Sequence, residues 1–173
     1  VKKAKLNILN QIKLKNLNFN FDVGKNIYSL QRIDMKFNNI KITSPLIEIE
    51  KNKNSFFVNG KLLNDKENFD IEKFKPIFPN LFDNIDLKKI EFSSKNNFTF
   101  DINKNFKFNN FKLETSINLN QLIFNEKNLK LKSYFPSFVE EIKLEDHKIV
   151  INYNKNKFNI KGNGNILLED KSD

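Results

Sequence analysis

Hydrophobic and polar residues alternate along most of this chain. Leu17, Phe19, Phe21 and Val23 are separated by Asn18, Asn20 and Asp22; Phe98, Phe100 and Ile102 by Thr99 and Asp101; and Phe111, Leu113, Thr115, Ile117 and Leu119 keep the same period. A period of two sends alternate side chains to opposite faces of a β-strand. A chain written this way predicts a mainly β protein: an antiparallel sheet with one apolar and one solvated face. The phase is not constant. Leu6, Ile8, Ile12 and Leu14 fall on even positions, and from Leu17 the apolar set moves to odd ones. That shift predicts a bulge or turn near Lys15-Asn16.

Polar clusters punctuate the pattern. Asp22–Asn26 reads as a tight turn in which Gly24 is free to take a positive φ, and Lys51–Asn54 as another turn. The apolar runs predict short strands at Ile27–Leu30, Ile33–Phe37, Ile40–Thr43, Leu46–Glu50 and Phe56–Leu63, with Pro45 suited to a strand edge or start. Further strands are expected at Lys89–Phe92, Asn97–Ile102, Phe106–Phe108, Phe111–Leu119, Gln121–Phe124, Leu129–Lys132, Glu141–Leu144, Lys148–Tyr153, Lys157–Gly162 and Asn165–Leu168. Two stretches break the alternation. Around 70–84, Phe74, Ile77, Phe78, Leu81 and Phe82 step by three and four behind a possible Asp70 cap, while Pro76 and Pro79 limit any helix to a turn or two. A second helical turn is expected within 133–141, where Pro136 suits a first turn. Phe19–Asn26 is echoed by Phe98–Asn105 and more weakly by Ile151–Asn156. Each copy has the form of a hairpin with a loop of three to five residues, and repeated hairpins extend a single sheet.

The length, 173 residues, suits one domain, 1–173. The chain begins at Val1 and is patterned almost at once, so it is expected to be a segment of a longer protein. The net charge of +9 prompts a nucleic-acid reading, but two features argue against it. Arg32 is the only arginine among 30 basic residues, whereas readers of phosphates and bases favour the guanidinium fork. Lysines and phenylalanines also alternate, which separates charge from stacking surface. Abundant Asn, Lys, Ile and Phe with a single alanine, Ala4, match A/T-rich codons, a source of lysine that needs no anionic partner. Cysteine is absent, excluding disulfides and thiolate chemistry, and no run of about 18 apolar residues could span a bilayer as a helix.

Nothing reads as a catalytic or metal site. His147, the single histidine, sits in Glu145–Lys148, which has the composition of a hairpin loop. Glu48 and Glu50 alternate with Ile47 and Ile49 and so belong to the wet face. Asp101–Asn105 begins like a calcium loop, but Phe106 and Lys112 stand where the pattern requires Gly and Glu. Asn97–Thr99 matches a glycosylation acceptor at a frequency expected of so many asparagines. No enzyme, metal or cofactor is expected.

The 19 phenylalanines need shelter. A two-sheet sandwich supplies it from within; an open, curled sheet supplies it from lipid. Alternation alone does not separate the two. The stretches Ile40–Leu63, Asp70–Ser93 and Phe111–Phe124, with the glycine-bearing strand Phe56-x-Val58-x-Gly60-x-Leu62 and a Pro-containing helical interruption before Ile90-Glu-Phe92, resemble the AsmA/TamB-like family of repeating β-groove lipid-transport proteins. The resemblance implies an elongated, twisted antiparallel sheet curled into a groove. It implies phospholipid acyl chains moving along the apolar face between inner and outer membrane, without catalysis. It also implies a periplasmic protein tethered to the inner membrane by a segment outside this chain. The expected lining is Leu17, Phe19, Phe21, Ile33, Met35, Phe37, Ile47, Ile49, Phe56, Val58, Phe98, Phe100, Ile102, Leu113, Ile117, Leu119, Ile149, Ile151, Phe158 and Ile160. The alternative is a closed sandwich serving as a binding or adhesion module of a surface or secreted protein.

Overall fold

A computed structural model of the chain describes residues 4–8, 12–37, 40–68, 72, 85–126, 131–134, 136 and 141–167. They form β1 (Ala4–Ile8), β2 (Ile12–Val23), β3 (Ile27–Phe37), β4 (Ile40–Lys51), β5 (Ser55–Asn68), β6 (Ile85–Asn103), β7 (Phe108–Glu126), β8 (Glu141–Asn154) and β9 (Lys157–Leu167), with one helical turn, α1 (Leu131–Tyr134), between β7 and β8. The nine strands make one sheet in the order β1-β2-β3-β4-β5-β6-β7-β8-β9, and every pair is antiparallel. This is an up-and-down meander. It does not close on itself: β1 and β9 are its two edges, and extensive strand contacts run only between sequence neighbours. Among the described residues there is no second sheet.

The strands are longer than the runs that predicted them. Ile27–Leu30 and Ile33–Phe37 are one strand, β3, and Ile40–Thr43 and Leu46–Glu50 are one strand, β4. Lys89–Phe92 joins Asn97–Ile102 in β6, and Phe111–Leu119 joins Gln121–Phe124 in β7, each strand running 19 residues. The segments expected on either side of His147 are both β8, and Lys157–Gly162 and Asn165–Leu167 both belong to β9, Leu168 lying outside the described residues. In β3, β4, β7 and β8 what reads as a break is a bulge within a continuous strand, whereas the polar run Ser93–Asn96 of β6 pairs regularly with β7. A bulge and a turn leave the same local mark, a polar or left-handed residue that shifts the apolar parity.

Other expectations are corrected or fall outside the described residues. Leu131 and Lys132 belong to α1 and not to a strand, and α1 overlaps the expected helical patch 133–141 at Ser133 and Tyr134, while Glu141 already opens β8. Of the stretch 70–84 only Glu72 is described. Phe106 is a turn residue. Gly24 does not need its conformational freedom, since no described glycine has a positive φ. A Cβ there would instead approach the Ile27 carbonyl oxygen at 3.1 Å, while the Gly24 amide donates to that oxygen at 2.8 Å. The β8–β9 hairpin has a two-residue loop, Lys155-Asn156, with both residues at positive φ (47° and 63°). That geometry matches the right-handed twist of paired strands.

The meander sorts its connections. The turns β2–β3, β4–β5, β6–β7 and β8–β9 lie at one end of the sheet. The hairpin echoes noted in the sequence therefore share one rim.

Candidate functional site: a continuous apolar face

A one-residue slip along a strand would send its apolar set to the wrong face. The bulges prevent this. Asn16 on β2 is left-handed (φ 54°) and shifts the register between Lys15 and Asn18. This is the parity change seen in the sequence. Arg32 on β3 (φ 52°) lies between Gln31, which faces Leu46, and Ile33, which faces Ser44, so it sits opposite Pro45 on β4. Asn120 on β7 and Asp146 on β8 (φ 52°) form a second opposed pair, between Leu119 facing His147 and Gln121 facing Glu145. Where both strands bulge at one level, pairing resumes in register and both alternations are reset together.

A single face therefore runs across the sheet. Phe21 faces Leu30, which faces Ile47, then Gly60, Phe98, Leu113, Tyr153 and Phe158, one residue per strand from β2 to β9. Followed strand by strand, the register places the whole expected set on this face. Leu17 and Phe19 flank Asn18, whose partner is Asp34, and so join Ile33 and Met35. Phe37 faces Leu14 and Ile40, and Ile49 faces Val58, which faces Phe100. Phe56 faces Ile102, Ile117 faces Ile149, Ile151 faces Ile160, and Leu119 faces His147. Their exposure differs. Ile33, Val58 and Leu119 are each 5% exposed, whereas Phe21, Phe158 and Ile160 are more than half exposed near the hairpin rim or on edge strand β9. Leu17, Phe19, Met35, Phe37, Ile47, Ile49, Phe56, Phe98, Phe100, Ile102, Leu113, Ile117, Ile149 and Ile151 are half-buried. Every buried residue described lies on this face, Ile40, Gly60 and Ile142 included.

The same face holds apolar residues beyond the expected lining, among them Tyr28, Leu30, Ile42, Phe92, Phe111, Leu122, Phe124 and Tyr153. Stacked or tilted rings gather toward the hairpin end: Phe21 on Tyr28 (centroids 6.4 Å apart), Phe98 on Phe100 (5.9 Å), Phe100 on Phe108 (5.3 Å) and Phe111 on Tyr153 (5.8 Å). A polar ladder also crosses this face, and sequence reasoning did not single it out. The Ser94 hydroxyl donates to Asn64 Oδ1. Asn64 Nδ2 donates to the Phe92 carbonyl at 3.3 Å, and Asn96 Nδ2 to Ser94 Oγ at 2.8 Å and to the Leu62 carbonyl at 3.3 Å. Thr115 Oγ1 donates to Asn96 Oδ1 at 3.0 Å. Asn64, Ser94 and Thr115 are buried between larger apolar neighbours. Because they satisfy one another, they ask nothing of water or of a guest. Their one signal in the sequence is position: Ser94 and Asn96 hold apolar-phase places between Phe92 and Phe98, as Thr115 does between Leu113 and Ile117.

Chemistry-bearing groups are dispersed. His147 lies within β8, not in a loop; its ring covers Gly164 on β9, and its Nδ1 is 3.0 Å from the Glu145 carbonyl oxygen. Glu48 and Glu50 lie on the opposite, solvated face, where they pair with Asn59 and Phe57. The Lys143 ammonium, 2.6 Å from Glu145 Oε1, donates to that carboxylate and holds it below the usual carboxylate range. Gln121 adds a longer hydrogen bond at 3.4 Å. An open cleft of about 830 Å³ lies near the hairpin end of β6–β8, its lining including Phe57, Asp101, Phe108, Phe111, Lys112 and Tyr153. Asp101 there accepts a hydrogen bond from Asn110 Nδ2 at 2.8 Å. Among the described residues no three His, Cys, Asp or Glu side chains converge as metal ligands, and no helix is long and apolar enough to cross a membrane. No protein-family model, curated protein or solved structure matches this chain.

Proposed function

We propose that this chain is a non-enzymatic carrier of phospholipid acyl chains, which lie against the apolar face and move along it. The carrying observation is an open, one-layer sheet of nine strands whose bulges keep one apolar face in phase from β2 to β9, with no facing sheet among the described residues. Each acyl methylene kept from water is worth about 0.8 kcal/mol, so a continuous lining lowers the barrier a lone lipid meets in an aqueous gap. A lining without an ordered set of polar groups accepts many acyl chains, which suits passage better than selective capture. The polar ladder does not interrupt the track, because its donors and acceptors are already paired and lie below flanking Phe, Ile and Leu side chains. The resemblance to repeating β-groove proteins points the same way and would make the carriage one between inner and outer membrane, with this chain periplasmic and tethered through a segment beyond it.

Photo-crosslinking tests the proposal. A benzophenone amino acid replaces Phe98 or Ile117 on the apolar face, and in parallel Asn97 or Ser116 on the solvated one. The proteins are irradiated with radiolabelled phospholipid dispersed in mild detergent. The expected result is lipid adducts from the first pair and few from the second. Adducts equal on both faces, or absent from both, would refute the reading.

A further inference from the structure

The rim formed by the turns β2–β3, β4–β5, β6–β7 and β8–β9 combines charge with exposed apolar side chains. Its turns with their bounding residues, 24–26, 51–54, 103–107 and 154–157, include Lys25, Lys51, Lys53, Lys104, Lys107, Lys155 and Lys157 and no carboxylate, the nearest in sequence being Glu50 beside Lys51. The lysines are exposed, and among the described residues none of them forms an ion pair. Exposed apolar side chains are set among them: Val23 is 66% exposed, Phe108 69% and Phe158 63%. Phe106 is the extreme case. It closes the tight turn between β6 and β7, 82% exposed and at φ 56°. A bulky side chain is disfavoured in the left-handed region, and an aromatic ring is disfavoured in water. The turn nevertheless fixes it there: Asn103 Oδ1 accepts from the backbone N–H groups of Asn105 and Lys107 at 2.9 and 3.0 Å, and the Phe106 N–H donates to the Asn103 carbonyl at 3.0 Å.

We infer that this rim docks on the surface of an anionic phospholipid bilayer, with lysines over the headgroups and Phe106, Phe108 and Phe158 entering the interface. Lysines set among interfacial apolar side chains are the pattern that binds such a surface. A polyanion such as DNA would use the charge and leave Phe106 in water, and Arg32, the one guanidinium, lies mid-strand away from the rim. Docking brings the ring-rich end of the apolar face to the membrane. Surface binding and acyl-chain binding are separable, because a rim variant that no longer sediments with vesicles still crosslinks detergent-dispersed lipid from position 98 if only docking has failed.

The test is co-sedimentation of the full chain with vesicles of phosphatidylcholine alone or with about one-third phosphatidylglycerol, at low and high salt. Three variants are compared: Lys104→Gln, Lys107→Gln, Lys155→Gln and Lys157→Gln together; Phe106→Ser; and a control with Lys15→Gln, Lys36→Gln, Lys95→Gln and Lys148→Gln, which removes the same charge from the solvated face. Thermal unfolding confirms that each remains folded. Wild type is expected to bind the anionic vesicles only, and less at high salt. The rim variant should lose about fivefold per lysine, Phe106→Ser should lose several-fold at either salt, and the control should change little. Equal losses in rim and control variants, binding to neutral vesicles as strong as to anionic ones, an unaffected Phe106→Ser, or tighter binding to duplex DNA than to vesicles would each overturn the assignment.

Discussion

The polar ladder should be strongly coupled, and its energetics can be worked from the hydrogen bonds. Asn96 is its hub: it donates to Ser94 Oγ and the Leu62 carbonyl and accepts from Thr115 Oγ1. Asn96→Ala removes these bonds and strands the hydroxyl of Thr115, a residue only 6% exposed. A buried donor left without a partner costs about 1–3 kcal/mol, and each lost neutral hydrogen bond about 1 kcal/mol net. Allowing for relaxation, the expected destabilisation is about 2–4 kcal/mol, or a melting temperature lower by roughly 5–15 °C for a chain of this size. Removing every member is different. Asn64→Leu, Ser94→Ala, Asn96→Leu and Thr115→Val together leave no side-chain donor stranded and place apolar groups among apolar neighbours. Such replacements are near neutral when shape is preserved, so the fourfold variant should be more stable than Asn96→Ala alone.

Urea unfolding followed by far-ultraviolet circular dichroism measures both, provided the slope with denaturant stays constant between variants. A cycle of Asn96→Leu and Thr115→Val then isolates their coupling, expected at about 1 kcal/mol or more for groups sharing a buried bond. If Asn96→Ala costs under about 0.5 kcal/mol, or if the fourfold variant loses the sum of the single losses, the groups act independently and the ladder is not the closed network its distances suggest.

Three further outcomes follow from local geometry. Lys155→Asn with Asn156→Gly supplies the dipeptide preferred where both turn residues have positive φ, so it should stabilise the chain by about 0.5–1 kcal/mol; a lower melting temperature would contradict the turn assignment. Gly60→Val would bring a Cβ to 2.6 Å from Phe98 Cζ and 3.0 Å from Ile47 Cγ1 and should cost about 1–3 kcal/mol. Gly162→Val meets ordinary contacts of 3.5–3.6 Å and should be neutral or stabilising, so equal effects of the two valines in denaturant titrations would refute the close packing at Gly60. Glu145 has its folded-state pKa depressed, chiefly by the Lys143 hydrogen bond, so its stabilising contribution is present above the ordinary value of 4.5 and fades as the pH falls through the folded value. The stability gap between wild type and Glu145→Gln should therefore be largest near neutrality and close on acidification, and a gap that widens at low pH would reverse the sign of the linkage.

Fold class and faces were legible in the sequence because alternation is a local signal: two residues of the same phase share a face wherever the strand is regular. The strand boundaries and the ladder were not, and for different reasons. Ser94, Asn96 and Thr115 hold apolar-phase positions, but that they bond one another emerges only when the register shows that Asn96 faces Thr115 and Asn64 faces Ser94; pairing between strands is invisible to any single window. The shift at Lys15-Asn16 is legible as a bulge or turn, but Arg32, Pro45, Asn120 and Asp146 fall in the gaps between the expected strands, where a polar residue or a proline reads as a strand end. What distinguishes the two is non-local. A true turn reverses the chain, whereas a bulge must be answered in the neighbouring strand if both strands are to keep their apolar sets on one face. Arg32 and Pro45 lie equally far from the β3–β4 reversal, and Asn120 and Asp146 face each other across the β7–β8 pairing. Parity shifts mirrored about a connection therefore mean one long bulged hairpin and not four short strands, and only the long reading gives a face continuous enough for an acyl chain to follow.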